Sequence, residues 1–210
     1  MNDTQTKLLQ ENVIRTASAL FLKKGIRALK MDDVAAAMKM SKRTLYQLFT
    51  DKASLLEACI QKRYEENDAW MQEIVSHTDD VMEVILRHAE IMLKTINSLP
   101  QGFLEEMAHY PNLDLLRRKH HTEQEQQAVN FMQRGVEQGV LRPEINYQLL
   151  YEALNSFITE TSRQDSKLAA YKPINIVMSV FVPLLRGCTT QAGLERLDNF
   201  EMKLTKNSAL

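Results

Sequence analysis

Apolar side chains recur at helical spacing almost from one end of this chain to the other. Leu9, Val13, Ala17, Leu20 and Phe21 fall at i, i+4, i+8, i+11 and i+12, which marks one face of a first helix over residues 6–24. Lys23 and Lys24 suit its negative end, and Gly25 follows as a stop. Six glycines and five prolines in 210 residues leave few turns, so long helices are favoured over many short strands. The expected fold class is all-α.

The second helix is expected over 31–38, with Asp32 and Asp33 at the positive end of its dipole. Ser41 is the natural N-cap of a short third helix, and a fourth starts near Lys52. Two helices joined by a tight turn and braced by neighbours make a helix-turn-helix, the layout that sets one helix into the DNA major groove. Leu45, Leu48 and Phe49 form the packing side of the third helix. Lys42, Arg43, Thr44, Tyr46 and Gln47 are left to face outward, and such side chains match phosphate oxygens and base edges.

Charge is distributed in the same sense. Residues 1–63 carry twelve Lys/Arg against six Asp/Glu, whereas the remainder carries 14 against 21. A near-neutral total of −1 therefore conceals a basic front and an acidic rear, and basic segments attract polyanions.

Further helices are expected over 79–98, 102–109 (stopped by Pro111), 113–138 and 147–163. Another, over 174–186, opens after Pro173 and ends at Gly187. It is apolar around most of its circumference and requires cover on more than one side, for which a dimer interface is the expected source. Pro183 should bend or weaken its last turn. The tail through Leu194, Leu197, Phe200 and Leu204 suits a short extra helix.

The segment "VIRTASALFLKKGIRALKMDDVAAAMKMSKRTLYQLFTDKASLL" resembles the DNA-binding domain of the tetracycline-repressor (TetR) family of bacterial transcription regulators. The likeness lies in A-x-x-L-F-x-x-x-G of the first helix, M-D-D-V-A of the second and S-K-R-T-L-Y-x-x-F-x-x-K across the third. It implies a helix-turn-helix domain over 1–52, a connecting fourth helix over about 52–75, and a larger helical ligand-binding and dimerisation domain over 53–210. Relatives often carry threonine at the position of Lys30, where it caps a helix and touches phosphate; lysine reaches a phosphate only as a point charge. They also often carry glycine at the position of Lys39, where left-handed backbone is expected.

On this reading Arg43, Thr44 and Gln47 address base edges, since arginine suits guanine and glutamine suits adenine. Lys42, Tyr46 and Lys52 contact phosphates, with Ser41 and Lys30 beside them; free N–H groups at the start of the fourth helix would add to phosphate binding. Candidate effector-binding residues are Trp70, Met92, Met107, Tyr110, Phe131 and Tyr151. The expected partners are a double-stranded palindromic operator, an unidentified small-molecule effector and a second copy of the chain, met through the helices near 147–163 and 173–187.

No nucleophile–base motif, phosphate loop or metal set is present, so neither enzyme chemistry, a metal nor a cofactor is expected. His120 and His121 point about 100° apart on a helix and read as a solvated face. Cys59 and Cys188 read as buried thiols. No apolar run reaches the ~18 residues of a membrane span, and the polar N-terminus is unlike a signal peptide, so a cytoplasmic protein is expected. The competing reading is an all-helical interaction module that has lost DNA binding.

Overall fold

The computed structural model describes residues 3–97, 99–100, 103–161 and 166–207. Helices α1 (Asp3–Lys24), α2 (Met31–Ala37), α3 (Lys42–Leu48), α4 (Lys52–His77), α5 (Val81–Asn97), α6 (Phe103–Ala108), α7 (Pro111–Glu137) and α8 (Tyr147–Thr161) follow in order. After a 3-10 turn over Lys167–Ala170 come α9 (Pro173–Ile176), a π-helical stretch (Val177–Phe181), α10 (Val182–Cys188) and α11 (Gln191–Asn207). Among the described residues the only extended pairing is an isolated bridge between Leu141 and Thr189, so the all-α expectation holds.

The chain divides into two compact units. Residues 1–69 with 98–120 form the first, and residues 70–97 with 121–210 form the second, so the divisions fall inside α4 and α7. In the first unit Val13, Ala17 and Phe21 of α1 meet Val34 and Ala35 of α2, Leu45 of α3, and Leu55, Leu56 and Cys59 of α4. Phe103 of α6 and Leu113 of α7 complete this core. Those two were not foreseen beside the N-terminal helices, because sequence separation hides which distant helix fills a core.

The second unit closes around Val81, Met82, Ile85 and Ala89 of α5, Val182, Leu185 and Cys188 of α10, and Leu197 of α11. Tyr147 donates its hydroxyl to the Arg142 carbonyl at 2.8 Å, and burial pushes that phenol up to about 12. Gly135 of α7 faces Leu141 so closely that a Cβ there would lie 2.6 Å from its Cδ1.

Three sequence expectations change here. Pro111 does not merely stop the preceding helix but opens α7, where its fixed φ suits a first helical position. The helix expected over 174–186 is present without a break from Pro173 to Cys188, but it widens to π-helical turns in the middle. Pro183 has no N–H to give, and in regular α-helix a proline ring would crowd the carbonyl four residues back; the π-helical turns over Val177–Phe181 sit just ahead of it. Gly187 does not end α10. The chain leaves the helix at Thr189, whose hydroxyl donates to the Leu185 and Arg186 carbonyls at 3.1 and 3.0 Å.

The tail helix is longer than expected, at 17 residues. Leu197 is fully buried within it and Leu194 half-buried, while the Phe200 and Leu204 side chains lie outside the described residues, as do 162–165 after α8.

Candidate nucleic-acid interface

A seven-residue helix is too short to persist alone, so α3 depends on its cap and its packing. Ser41 is the N-cap, as expected: its Oγ accepts from the Thr44 N–H at 3.1 Å. The Ser41 and Thr44 hydroxyls bond each other at 2.8 Å, which half-buries Thr44 and ties it to the cap. Leu45 is fully buried, Leu48 half-buried, and Phe49 turns into the core from the extended residue that ends the helix. Arg43, Tyr46 and Gln47 are exposed, with Tyr46 at 48%. A polar, donor-rich face and a single apolar anchor line are what helical spacing imposes on this segment.

The turn from α2 to α3 holds Lys39 at φ 51°, the left-handed conformation expected there. Lys30 precedes α2 as its N-cap. Lysine offers no side-chain acceptor, and the cap is closed from the other side: the Asp33 carboxylate accepts from the Lys30 N–H at 2.9 Å. That bond, and then the Lys24 ammonium at 3.0 Å, hold the Asp33 carboxyl below its usual range. The Lys30 side chain is exposed.

Two of the expected phosphate ligands are occupied by the chain itself. Lys42 donates to Asp32 of α2 at 2.6 Å, and that hydrogen bond raises the ammonium's pKa. Lys52 donates to the Arg27 carbonyl at 3.3 Å, and its partial burial lowers its pKa. The start of α4 is also less open than expected. Asp51 caps it by accepting from the Ser54 N–H at 2.7 Å, while Ser54 Oγ accepts from the Asp51 N–H at 3.2 Å. This reciprocal cap was legible as Asp51-x-x-Ser54 ahead of Leu55 and Leu56, yet it was not anticipated. Nor was Glu106 of α6, whose carboxylate accepts from the Arg27 N–H at 2.8 Å and so fixes the turn after α1. No local pattern announces a contact across 79 residues.

The effector candidates fall in both units. Met107 and Tyr110 pack against the core of the first unit. Phe131 packs against that of the second, where Trp70 and Tyr151 are half-buried and the Tyr151 hydroxyl donates to the His121 carbonyl at 3.4 Å. Met92 lies on α5, its side chain outside the described residues.

His120 is a correction. It is not a solvated-face residue: its ring stacks on Tyr64 at 4.2 Å, and Nε2 lies 3.1 Å from both Asp68 oxygens, so α7 supplies a half-buried polar clasp to α4. Among the described residues no group of three His, Cys, Asp or Glu is arranged to hold a metal. Cys59 and Cys188 are buried and free, and burial pushes the Cys59 thiol up to about 11. No helix among the described residues is long and apolar enough to cross a membrane.

Residues 13–59 match the family model for bacterial regulatory proteins of the tetR family. The HTH-type transcriptional repressor KstR2 of Mycobacterium tuberculosis is 21% identical over 162 residues, covering 71% of this chain and 76% of the relative. The fold is similar to that of CprB from S. coelicolor A3(2), with a TM-score of 0.66 at 16% identity, over 96% of this chain and 98% of that one. It is also similar to a putative transcriptional regulator from Saccharomonospora viridis solved in complex with choline, with a TM-score of 0.64 at 17% identity, over 95% of each chain. The capped α3 with its exposed donors and the left-handed turn ahead of it lie inside the segment that matches the tetR-family model, and the proteins to which the whole chain is similar are transcriptional regulators.

Proposed function

We propose that the chain is a homodimeric, ligand-released repressor that binds a palindromic operator and works in the cytoplasm. The DNA-binding segment is residues 1–52, with α4 leading into residues 53–210 for effector binding and dimerisation. The observation that carries this reading is the exposed set Arg43, Tyr46 and Gln47 on a helix held from behind by Leu45 and Phe49. Arg43 and Gln47 read base edges, with Thr44 contributing through its methyl and its shared hydroxyl. Tyr46 and Lys30 meet the phosphate backbone beside Ser41, Lys52 joins them through the ammonium protons that the Arg27 carbonyl leaves, and Lys42 lies on the same face.

The second copy docks on α8 and the α9–α10 region, where Leu149, Ile158, Val180 and Leu184 stand exposed in the single chain. Two heads in a two-fold dimer would address half-sites one DNA turn apart, about 34–36 Å, or somewhat further on a longer site. An effector held in the second unit by Trp70, Phe131 and Tyr151, with Met92 as a further candidate, releases DNA by binding more tightly to a dimer whose heads no longer fit the site. The structurally similar choline-bound regulator supports a small molecule as the class of effector.

Selection of bound duplexes from a random pool tests this directly. A palindromic sequence should emerge, with log K falling linearly against log salt. Arg43→Ala should cost about 1–3 kcal/mol on the selected site and relax its base preference, whereas Tyr46→Phe should weaken all sequences alike. A pool that shows neither enrichment nor salt dependence sinks the reading.

A further inference from the structure

The acidic residues at the start of α2 do different work. Asp33 closes the Lys30 cap and meets Lys24, so it belongs to the fold of the turn. Asp32 instead reaches forward to Lys42 on α3 at 2.6 Å. Both partners are open to solvent, with side chains 56% and 65% exposed. The pair is therefore set on the outer surface and contributes nothing to the core.

Its placement has an electrostatic logic. Lys42 is the first residue of α3, where a cation opposes the positive end of the helix dipole; Asp32, in the first turn of α2, is favoured by the corresponding end of its own helix. Pairing relieves the first without disturbing the second. It also gives Lys42 an anion before any DNA arrives.

We propose that Asp32 is a built-in counter-ion that holds Lys42 out of the phosphate contacts and so limits the affinity of the head for DNA of any sequence. The inference rests on the DNA-binding reading above. Binding a phosphate to a free lysine releases a condensed cation from the duplex, and each such contact steepens the slope of log K against log salt by about 0.9. If Lys42 is to reach a phosphate, the bond to Asp32 must break first, so the contact is offset by the loss of the ion pair and adds little to affinity. If Lys42 stays, no release occurs at all. While the pair holds, Lys42 is masked in the wild-type slope, and the residue that masks it is Asp32.

The test is a salt titration of the full chain on the selected operator and on an unrelated duplex of equal length, with four proteins: wild type, Asp32→Asn, Lys42→Ala and the double variant. Asp32→Asn should steepen the slope by about 0.9 for each head engaged. It should bind both duplexes more tightly, on the order of fivefold at 0.1 M salt. Lys42→Ala should flatten the slope by about 0.9 per head in the Asp32→Asn background and by less than half of that in the wild type. Equal flattening in the two backgrounds would show Lys42 already on a phosphate and overturn the proposal, as would an unchanged slope in Asp32→Asn. If Asp32→Asn loses its helical circular dichroism, Asp32→Ser removes the same charge while keeping a short polar side chain at the helix start. A wild type that binds neither duplex in a salt-dependent way refutes the DNA-binding reading itself, an outcome distinct from either failure of the counter-ion.

Discussion

The first unit places two seven-residue helices between longer ones and fixes each with specific groups: Ser41 and Asp33 at the caps, Lys39 in a left-handed turn, Leu45 and Phe49 in the core. The second unit builds mostly with longer helices, of 15 residues in α8 and 17 in each of α5 and α11, whose core is generic aliphatic packing and whose α8 and α10 leave apolar side chains in the open. Short helices cannot stand alone, so their positions must be dictated residue by residue. Long amphipathic helices tolerate many side chains of suitable volume, so the second unit is less tightly specified residue by residue. A basic front and an acidic rear are thus written in different styles.

The sharpest break in this contrast would come at the exposed apolar residues. Leu184→Glu should weaken the homodimer by about 3–5 kcal/mol, because symmetry buries the charge twice, and sedimentation should show monomers with intact helical content. A dimer that persists would place self-association elsewhere. In the first unit, Leu45→Ala removes the fully buried side chain of α3 and should cost about 2–5 kcal/mol in denaturant titration. Operator binding should fall further than effector binding; equal losses would mean that α3 is not independently anchored.

Smaller effects separate close packing from backbone conformation. Gly135→Ala drives a methyl against Leu141 and Val81, an overpacking cost of about 1–3 kcal/mol offset by about 1 kcal/mol of helix propensity. The loss should appear in thermal melting and leave the operator's base preference untouched. Lys39→Gly should stabilise the head by up to about 1 kcal/mol, since glycine adopts a φ of 51° without a Cβ penalty.

The smallest expected effect is a pH limb. The Lys30 N–H and the Lys24 ammonium depress the folded pKa of Asp33. Its contribution to stability is complete above the ordinary value of 3.8 and is lost as pH falls below that, through the depressed folded value. Asp33→Asn should flatten the acid side of the stability–pH curve in that window alone; an unchanged curve would remove Asp33 from the head's electrostatics.

Helix positions were readable because period, caps and breakers are local. The starts of α2, α3, α4 and α8 fall where Asp32, Ser41, Lys52 and Tyr147 placed them, and the donor face of α3 follows from the spacing of Leu45 and Leu48. The π-helical stretch before Pro183 was only half legible: proline announces a defect, but the register that absorbs it depends on what packs around it. His120 was misread for a similar reason, since its stacking on Tyr64 and its bonds to Asp68 join residues 52 and more positions apart.

By itself the sequence determined that the chain is helical, where its head lies and which side chains that head turns outward, because each of these is set within a few residues. Tertiary structure alone decided which of those side chains already have partners within the chain. Lys42 and Lys52 are engaged by Asp32 and by the Arg27 carbonyl, and ion pairs and hydrogen bonds between separate segments are settled by distance in space.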